Sequence, residues 1–248
     1  MREHDGVHDG AVFLAAEWRH LVLINYEAPA SLLQPLVPRG TELDRHRGRV
    51  FVSLVGFRFL DTRVLGCHVP GHQDFDEVNL RFYVRREVGG ELRRAVTFVK
   101  EIVPRRVIAA VARAVYNEPY VALRMHSEIR TADADASTRA RYGWRSRAGD
   151  HYLEVVARGV PKVPAPESDE AFITEHYWGY TRQRNGGTIE YQVMHPTWEF
   201  RHAASVSVGG DVAAFYGPAF GEVLAATPVS AYLAEGSPVT VSRPRRIT

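Results

Sequence analysis

Glu77, Asn79, Arg81, Tyr83 and Arg85 alternate along the chain with Val78, Leu80, Phe82 and Val84. Alternation at period two predicts a strand with its polar side chains on one face. Such a stripe is either a solvated face or the wall of a cavity. In a cavity, a carboxylate and a guanidinium would orient a small acid or carbonyl compound. The next segment places Val96, Phe98, Lys100 and Ile102 on one face and Thr97, Val99, Glu101 and Val103 on the other. Both faces are mainly apolar, the pattern of a strand buried on both sides. One of Lys100 and Glu101 is then expected in apolar surroundings. A desolvated lysine loses its proton readily and becomes a nucleophile. The alternative is that Lys100 reaches solvent or pairs with an acid.

Other residues of chemical interest lack a diagnostic pattern. Cys67, His68, His72, Asp74, Asp76 and Glu77 are all metal-ligand types, but their spacing matches no zinc signature, so no metal is expected. Aromatic residues gather at Tyr177, Trp178, Tyr180, Tyr191 and Trp198, as core or cavity wall. Phosphate-binding loops, Gly-x-Gly-x-x-Gly, Gly-x-Ser-x-Gly and Cys-x-x-Cys do not occur, so nucleotide binding, hydrolase-elbow chemistry and a bound cofactor lack support.

The elements that must position these side chains are mostly strands. They are expected at 19–26, 48–59, 77–86, 93–103, 122–131, 140–147, 151–159, 188–194 and 238–242. Gly89-Gly90 and Asn185-Gly186-Gly187 supply the turn chemistry of hairpins. Short helices are expected at 30–37, 104–116, 168–177 and 218–226. The Pro-rich stretch Pro161 to Pro166 reads as a loop inside one domain. A chain of 248 residues with 45% hydrophobic and 24% charged residues can bury a substantial core. We expect a flexible N-terminus at 1–14 and a single domain over 15–248, of α+β class and mainly antiparallel β. The single cysteine and the absence of an apolar leader point to the cytoplasm, and no apolar run suits a bilayer. Net charge is +2, and only two of the 31 basic residues, Lys100 and Lys162, are lysine. Acids interleave with the arginines, so neither a nucleic-acid nor a membrane partner is expected.

Several stretches, in order, resemble the bacterial YqjF-like family of unknown function. They are Arg19 to Tyr26, Leu32 to Pro38, Glu42-Leu43-Asp44, Val50 to Val55, Phe75 to Val84, Asn117-Glu118-Pro119-Tyr120, Phe172 to Tyr177 and His195 to Trp198. That family is grouped with the acetoacetate decarboxylase-like superfamily. The resemblance implies an antiparallel β-barrel or cone with a central cavity, a few peripheral helices and a homo-oligomeric state. Acetoacetate decarboxylases form a Schiff base between a lysine and a keto acid, with a second lysine, an arginine and two glutamates nearby. By motif, Arg19 falls where the arginine lies and Glu77 where one glutamate lies. Ser53 stands in place of the other glutamate, and Tyr120-Val121 in place of the lysine pair.

Without a lysine at 120 or 121, the usual mechanism has no nucleophile there, and Lys100 is the one substitute outside the Pro-rich stretch. The expected function is binding of a small keto acid or carbonyl ligand. A lyase, hydratase or cyclase step without a Schiff base would accompany it. The candidate catalytic residues are Glu77, Arg19 and Lys100. Arg81, Tyr120, Ser53 and Tyr83 are the candidate substrate contacts, with Tyr120 able to donate to a developing enolate. The alternatives are a non-catalytic binding or scaffold protein, and a Schiff-base decarboxylase or aldolase using Lys100.

Overall fold

A computed structural model describes residues 11–132 and 137–247. In chain order its strands are β1 (Val12–Glu27), β2 (Glu42–Leu43), β3 (Phe51–Val64), β4 (Cys67–His68), β5 (Phe75–Val88), β6 (Glu91–Val103), β7 (Tyr120–Ala122) and β8 (Arg124–Ala132). There follow β9 (Ser137–Ser146), β10 (Gly149–Ala157), β11 (Trp178–Arg182), β12 (Thr188–Met194), β13 (Phe200–Gly209), β14 (Ser230–Ser242) and β15 (Arg245–Arg246). The helices are α1 (Ala30–Leu33), α2 (Arg106–Val115), α3 (Asp169–Thr174), α4 (Val212–Tyr216) and α5 (Pro218–Ala225). The fold is α+β and mainly antiparallel, as expected. β1 starts at Val12, ahead of the boundary expected at 14, and residues 1–10 lie outside the described residues.

Hydrogen-bonded neighbours run β12, β11, β6, β5, β3, β1, β14, and Val193 and Met194 of β12 pair with Val241 and Thr240 of β14. The path therefore closes into a ring, cone-like rather than a regular barrel. From β14 the sheet continues through β13, β10 and β9 to β8 and folds back over the outside of the ring. Trp144, Tyr142, Leu153 and Val155 of this outer layer pack with Val52, Leu54, Val78, Leu80 and Phe82 of the ring. A second cluster fills the inside, with Leu21, Leu23, Val55, Phe57, Tyr83, Val96 and Trp198. The ring strands are thus covered on both faces, which is why β3 and β6 read as apolar on both sides.

Turn chemistry behaves as the sequence predicts. Gly89 and Gly90 take φ of 59° and 85° between Val88 and Glu91, a two-residue hairpin turn. Ser168 caps α3 through its hydroxyl, which accepts from the Ala171 amide at 3.1 Å. In the Pro-rich stretch, Lys162 pairs through its backbone with Phe200.

Two bulges change which residues face inward. In β5–β6 the register passes from Arg81 opposite Phe98 to Leu80 opposite Lys100, so Val99 is the extra residue. Strict alternation fails there. Val96 and Phe98 face the interior before the bulge, and Glu101 and Val103 face it afterwards. In β1 the register slips between Arg19 and Val22, where His20 has a φ of 55°. Opposite this slip, Gly236 pairs with Arg19 at a φ of 86°, and a Cβ there would stand 1.9 Å from the Trp18 carbonyl oxygen. Gly236→Ala is expected to destabilise the fold by more than about 1 kcal/mol, read as a lower urea midpoint at unchanged slope.

Candidate active site

The ring encloses a cavity of about 180 Å³. Its wall is largely aromatic and aliphatic, including Trp18, Phe57, Phe59, Phe75, Phe98 and Trp198. Val69, Val107 and Val111 of the lining are 37%, 52% and 40% exposed, so the mouth lies between the loop before β5 and α2. At the other end stand Glu77, Asn79, Arg81, Glu101, Glu118 and Tyr120.

Three adjacent strands assemble that polar end. β5 supplies Glu77, Asn79 and Arg81 from one face, by simple alternation. β6 supplies Glu101 opposite Asn79, turned inward by the bulge at Val99. β7 runs parallel to β6 with Tyr120 beside Glu101, and the turn before it carries Glu118. The Tyr120 hydroxyl donates to Glu77 Oε2 at 2.8 Å, and Asn79 Nδ2 donates to Glu77 Oε1 at 3.0 Å. Glu118 Oε1 accepts from Tyr191 at 2.7 Å and from Thr181. Tyr191 is seated by Gly179, its cross-strand partner, where a Cβ would lie 2.1 Å from the tyrosine ring. Arg81 donates from Nη2 to the Ile173 carbonyl at 3.4 Å and lies 5.7 Å from the Tyr83 ring.

Burial dominates the electrostatics. Glu77, Glu101 and Glu118 are only 2%, 2% and 4% exposed. Desolvation pushes Glu77 up to about 7, against the opposing pull of Asn79, Tyr120 and Arg81. It pushes Glu118 up to about 7 as well, with the Glu77 charge adding to the rise. Glu101 is raised well above the usual carboxyl range by burial and then by Glu118 and Glu77. Like charges this close share protons at neutral pH. The Tyr120 hydroxyl, buried among them, is raised far from ionisation and stays a donor. His176, also in the wall, is lowered to about 4 by burial, so it is neutral, with Nε2 3.6 Å from Asp44.

The expected site residues divide between the cavity and other places. Glu77, Arg81 and Tyr120 come together in the cavity. Ser53 and Tyr83 are buried beside it, their hydroxyls 2.5 Å apart, with Ser53 also donating to Asn25. Arg19 does not line the cavity. It is half-exposed, and its guanidinium meets Glu17 and the Gly236 carbonyl. Lys100 stands on the opposite face of β6 from Glu101. Its Nζ donates to the Phe215 carbonyl at 2.5 Å and lies 4.2 Å from the Phe215 ring, and burial lowers its pKa. The desolvated group inside the ring is therefore Glu101 and not Lys100. Of the ligand-type residues before β5, Cys67 is exposed, His68 pairs with Asp61, and His72 reaches the cavity wall. Glu118 and His176 were not singled out by their chemistry in the sequence. Their only signal was membership of the stretches 117–120 and 172–177.

The folded state holds these carboxyls protonated at pH values where the unfolded chain ionises them. Their contribution to stability is therefore full below about 4.5 and is lost as pH rises through about 7. A carboxyl moved from 4.5 to about 7 carries about 3 kcal/mol of this dependence. Glu101→Gln, a neutral isostere, is expected to raise the melting temperature at pH 8 and leave it nearly unchanged at pH 4.5.

Comparison with known proteins agrees with this architecture. The model of family DUF2071, described as "Uncharacterized conserved protein (COG2071)", matches residues 15–238. No curated protein matches. Among solved structures, acetoacetate decarboxylase from Legionella pneumophila subsp. pneumophila str. Philadelphia 1 is similar at a TM-score of 0.65 and 12% identity, covering 100% of this chain and 92% of that one. The enduracididine biosynthesis enzyme MppR, complexed with pyruvate, is similar at 0.67 and 11%, covering 99% and 93%. An acetoacetate decarboxylase-like enzyme from Sphingomonas wittichii RW1 is similar at 0.62 and 9%, covering 96% and 94%. At these identities the likeness is one of fold. By the match over 15–238 the chain belongs to the DUF2071 family, and its fold is similar to that of acetoacetate decarboxylase-like enzymes.

Proposed function

We propose that the cavity binds a small oxo acid and that Glu77 exchanges a proton with it, without a Schiff base. One observation carries this reading. Glu77 faces the cavity with its carboxyl held by Tyr120 and Asn79, and no lysine is among the lining residues. A carboxyl titrating at about 7 matches the working pH of a general base or acid. Arg81 supplies the cation for the substrate carboxylate. Tyr120 keeps the base oriented and offers its proton to the enolate oxygen as charge develops. The step is removal of a proton from the carbon next to the carbonyl, the common start of dehydration, hydration and cyclisation. A pyruvate complex of MppR, a protein of the same fold, supports an oxo acid as the ligand. The cytoplasmic location and the homo-oligomeric state expected from the sequence belong to this proposal.

The test needs no knowledge of the product. Protein and pyruvate are mixed in D₂O, and loss of the methyl proton signal is followed by NMR. Catalysed exchange is expected, rising as pH passes through about 7, because the ionised form of Glu77 is the base. Glu77→Gln is expected to lower the rate by about a hundred-fold or more while binding holds. Pyruvate binding without exchange at any pH would favour the binding-protein alternative. Reductive trapping with cyanoborohydride addresses the Schiff-base alternative. The expected result is no adduct on Lys100, and an adduct there would contradict the proposal.

A further inference from the structure

The polar atoms at the closed end of the cavity do not satisfy one another. Glu101 Oε2, Glu118 Oε2 and Asn79 Oδ1 are buried with no hydrogen-bond partner. All three residues line the cavity and are less than one-tenth exposed. Unpaired buried acceptors are costly, and each marks a place where a bound donor would be welcome. The acceptors outnumber what the neighbourhood can donate. Tyr120 is already given to Glu77, Tyr191 and Thr181 to Glu118 Oε1, and Asn79 Nδ2 to Glu77.

The opposite deficiency lies further along β5. Arg81 Nε is buried without an acceptor, and neutral His176 has both ring nitrogens unpaired. Arg81 follows Asn79, the cross-strand partner of Glu101, by two residues on the same face of an extended strand, roughly 7 Å at about 3.3 Å per residue. Val55 is the cross-strand neighbour of Asn79 and Phe98 that of Arg81, so the wall beside both groups is apolar. The polar end of the cavity thus sets an acceptor-rich cluster one pleat repeat from a cationic group. Among the described residues, no group of three or more ligating side chains is placed to hold a metal ion. The spread of the acceptors suits an organic cation with several N–H groups.

We propose that the physiological ligand is an acid carrying an amine or guanidine at its far end, with the cationic group docked on Glu101 and Glu118 and the carboxylate on Arg81. This deepens the oxo-acid reading and rests on the cavity being the ligand site. A cation between the two glutamates favours their ionised forms, so binding at pH 7 drives protons out of the cluster. Glu101 and Glu118 are then specificity-determining residues for the cationic group.

Three probes separate the poles: 4-guanidinobutyrate, hexanoate and butylguanidine, titrated calorimetrically into the intact protein at pH 7. The expected order has 4-guanidinobutyrate binding at least about ten-fold more tightly than either of the others. Its binding heat is expected to depend on the buffer's ionisation enthalpy in the direction of proton release. Glu101→Gln and Glu118→Gln are each expected to remove most of the preference over hexanoate, and to leave hexanoate itself within about two-fold. Hexanoate binding as tightly as 4-guanidinobutyrate to the unaltered protein would overturn this inference and leave the oxo-acid reading standing. Failure of both carboxylates to bind, and of pyruvate with them, would remove the oxo-acid reading and this inference together.

Discussion

Three carboxyl groups crowd one tyrosine hydroxyl inside a ring of strands, and this crowding is the constraint on which the site depends. In water, Glu77, Glu101 and Glu118 would each be ionised at neutral pH. Inside the ring, desolvation and their mutual repulsion hold protons on them. Such an arrangement costs folding free energy at neutral pH, and the surrounding core must supply it. It persists because β5, β6 and β7 are fixed side by side by their ladders, and because Tyr120, Asn79, Thr181 and Tyr191 donate to the carboxyls. The structure thereby keeps groups able to take up or release a proton near pH 7 in a small, mostly apolar chamber.

The double cover of the ring makes this possible. The outer layer of β8, β9, β10 and β13 shields the far side of β3, β5 and β6, and Tyr142 and Trp144 pack against Val78 and Leu80. A ring wet on its outside would have alternating strands, with every inward polar residue matched by an outward one. Here the outward residues of β5 are Val78, Leu80, Phe82 and Val84, all fully buried. The charged stripe of that strand can only face inward, so the polarity of the cavity follows from the apolarity of the opposite face. Lys100 is the exception on the outer side, where the Phe215 carbonyl and ring take its ammonium.

Much of this was legible in the residues. The alternation over 77–84 named the residues that share a polar face but not which way that face points, and Gly89-Gly90 fixed the hairpin that brings β6 beside it. The resemblance of the ordered stretches implied the cone and placed Glu77 and Tyr120 in it. Three features were not legible. A bulge adds one residue without any compositional mark, so Val99 hid the switch that turns Glu101 inward and Lys100 outward. Glu118 sits in a turn, where no periodicity assigns a face. β13 also escaped notice, since Ala203, Ala204 and Ser205 lack the branched and aromatic residues that signal a strand. Arg19, placed near the site by resemblance, instead projects from the face opposite Trp18, and Arg81 is the guanidinium within the cavity.

The central claim is that the cavity holds carboxyl groups that titrate near neutrality. Its most direct measurement is the pH dependence of the ¹³C side-chain carboxyl signals of glutamate-labelled protein, assigned by single Glu→Gln replacement of residues 77, 101 and 118. The expected result is that Glu77 and Glu118 change chemical shift with midpoints near 7 and that Glu101 changes well above the ordinary carboxyl range. Midpoints for all three close to 4.5, the ordinary carboxyl value, would contradict it.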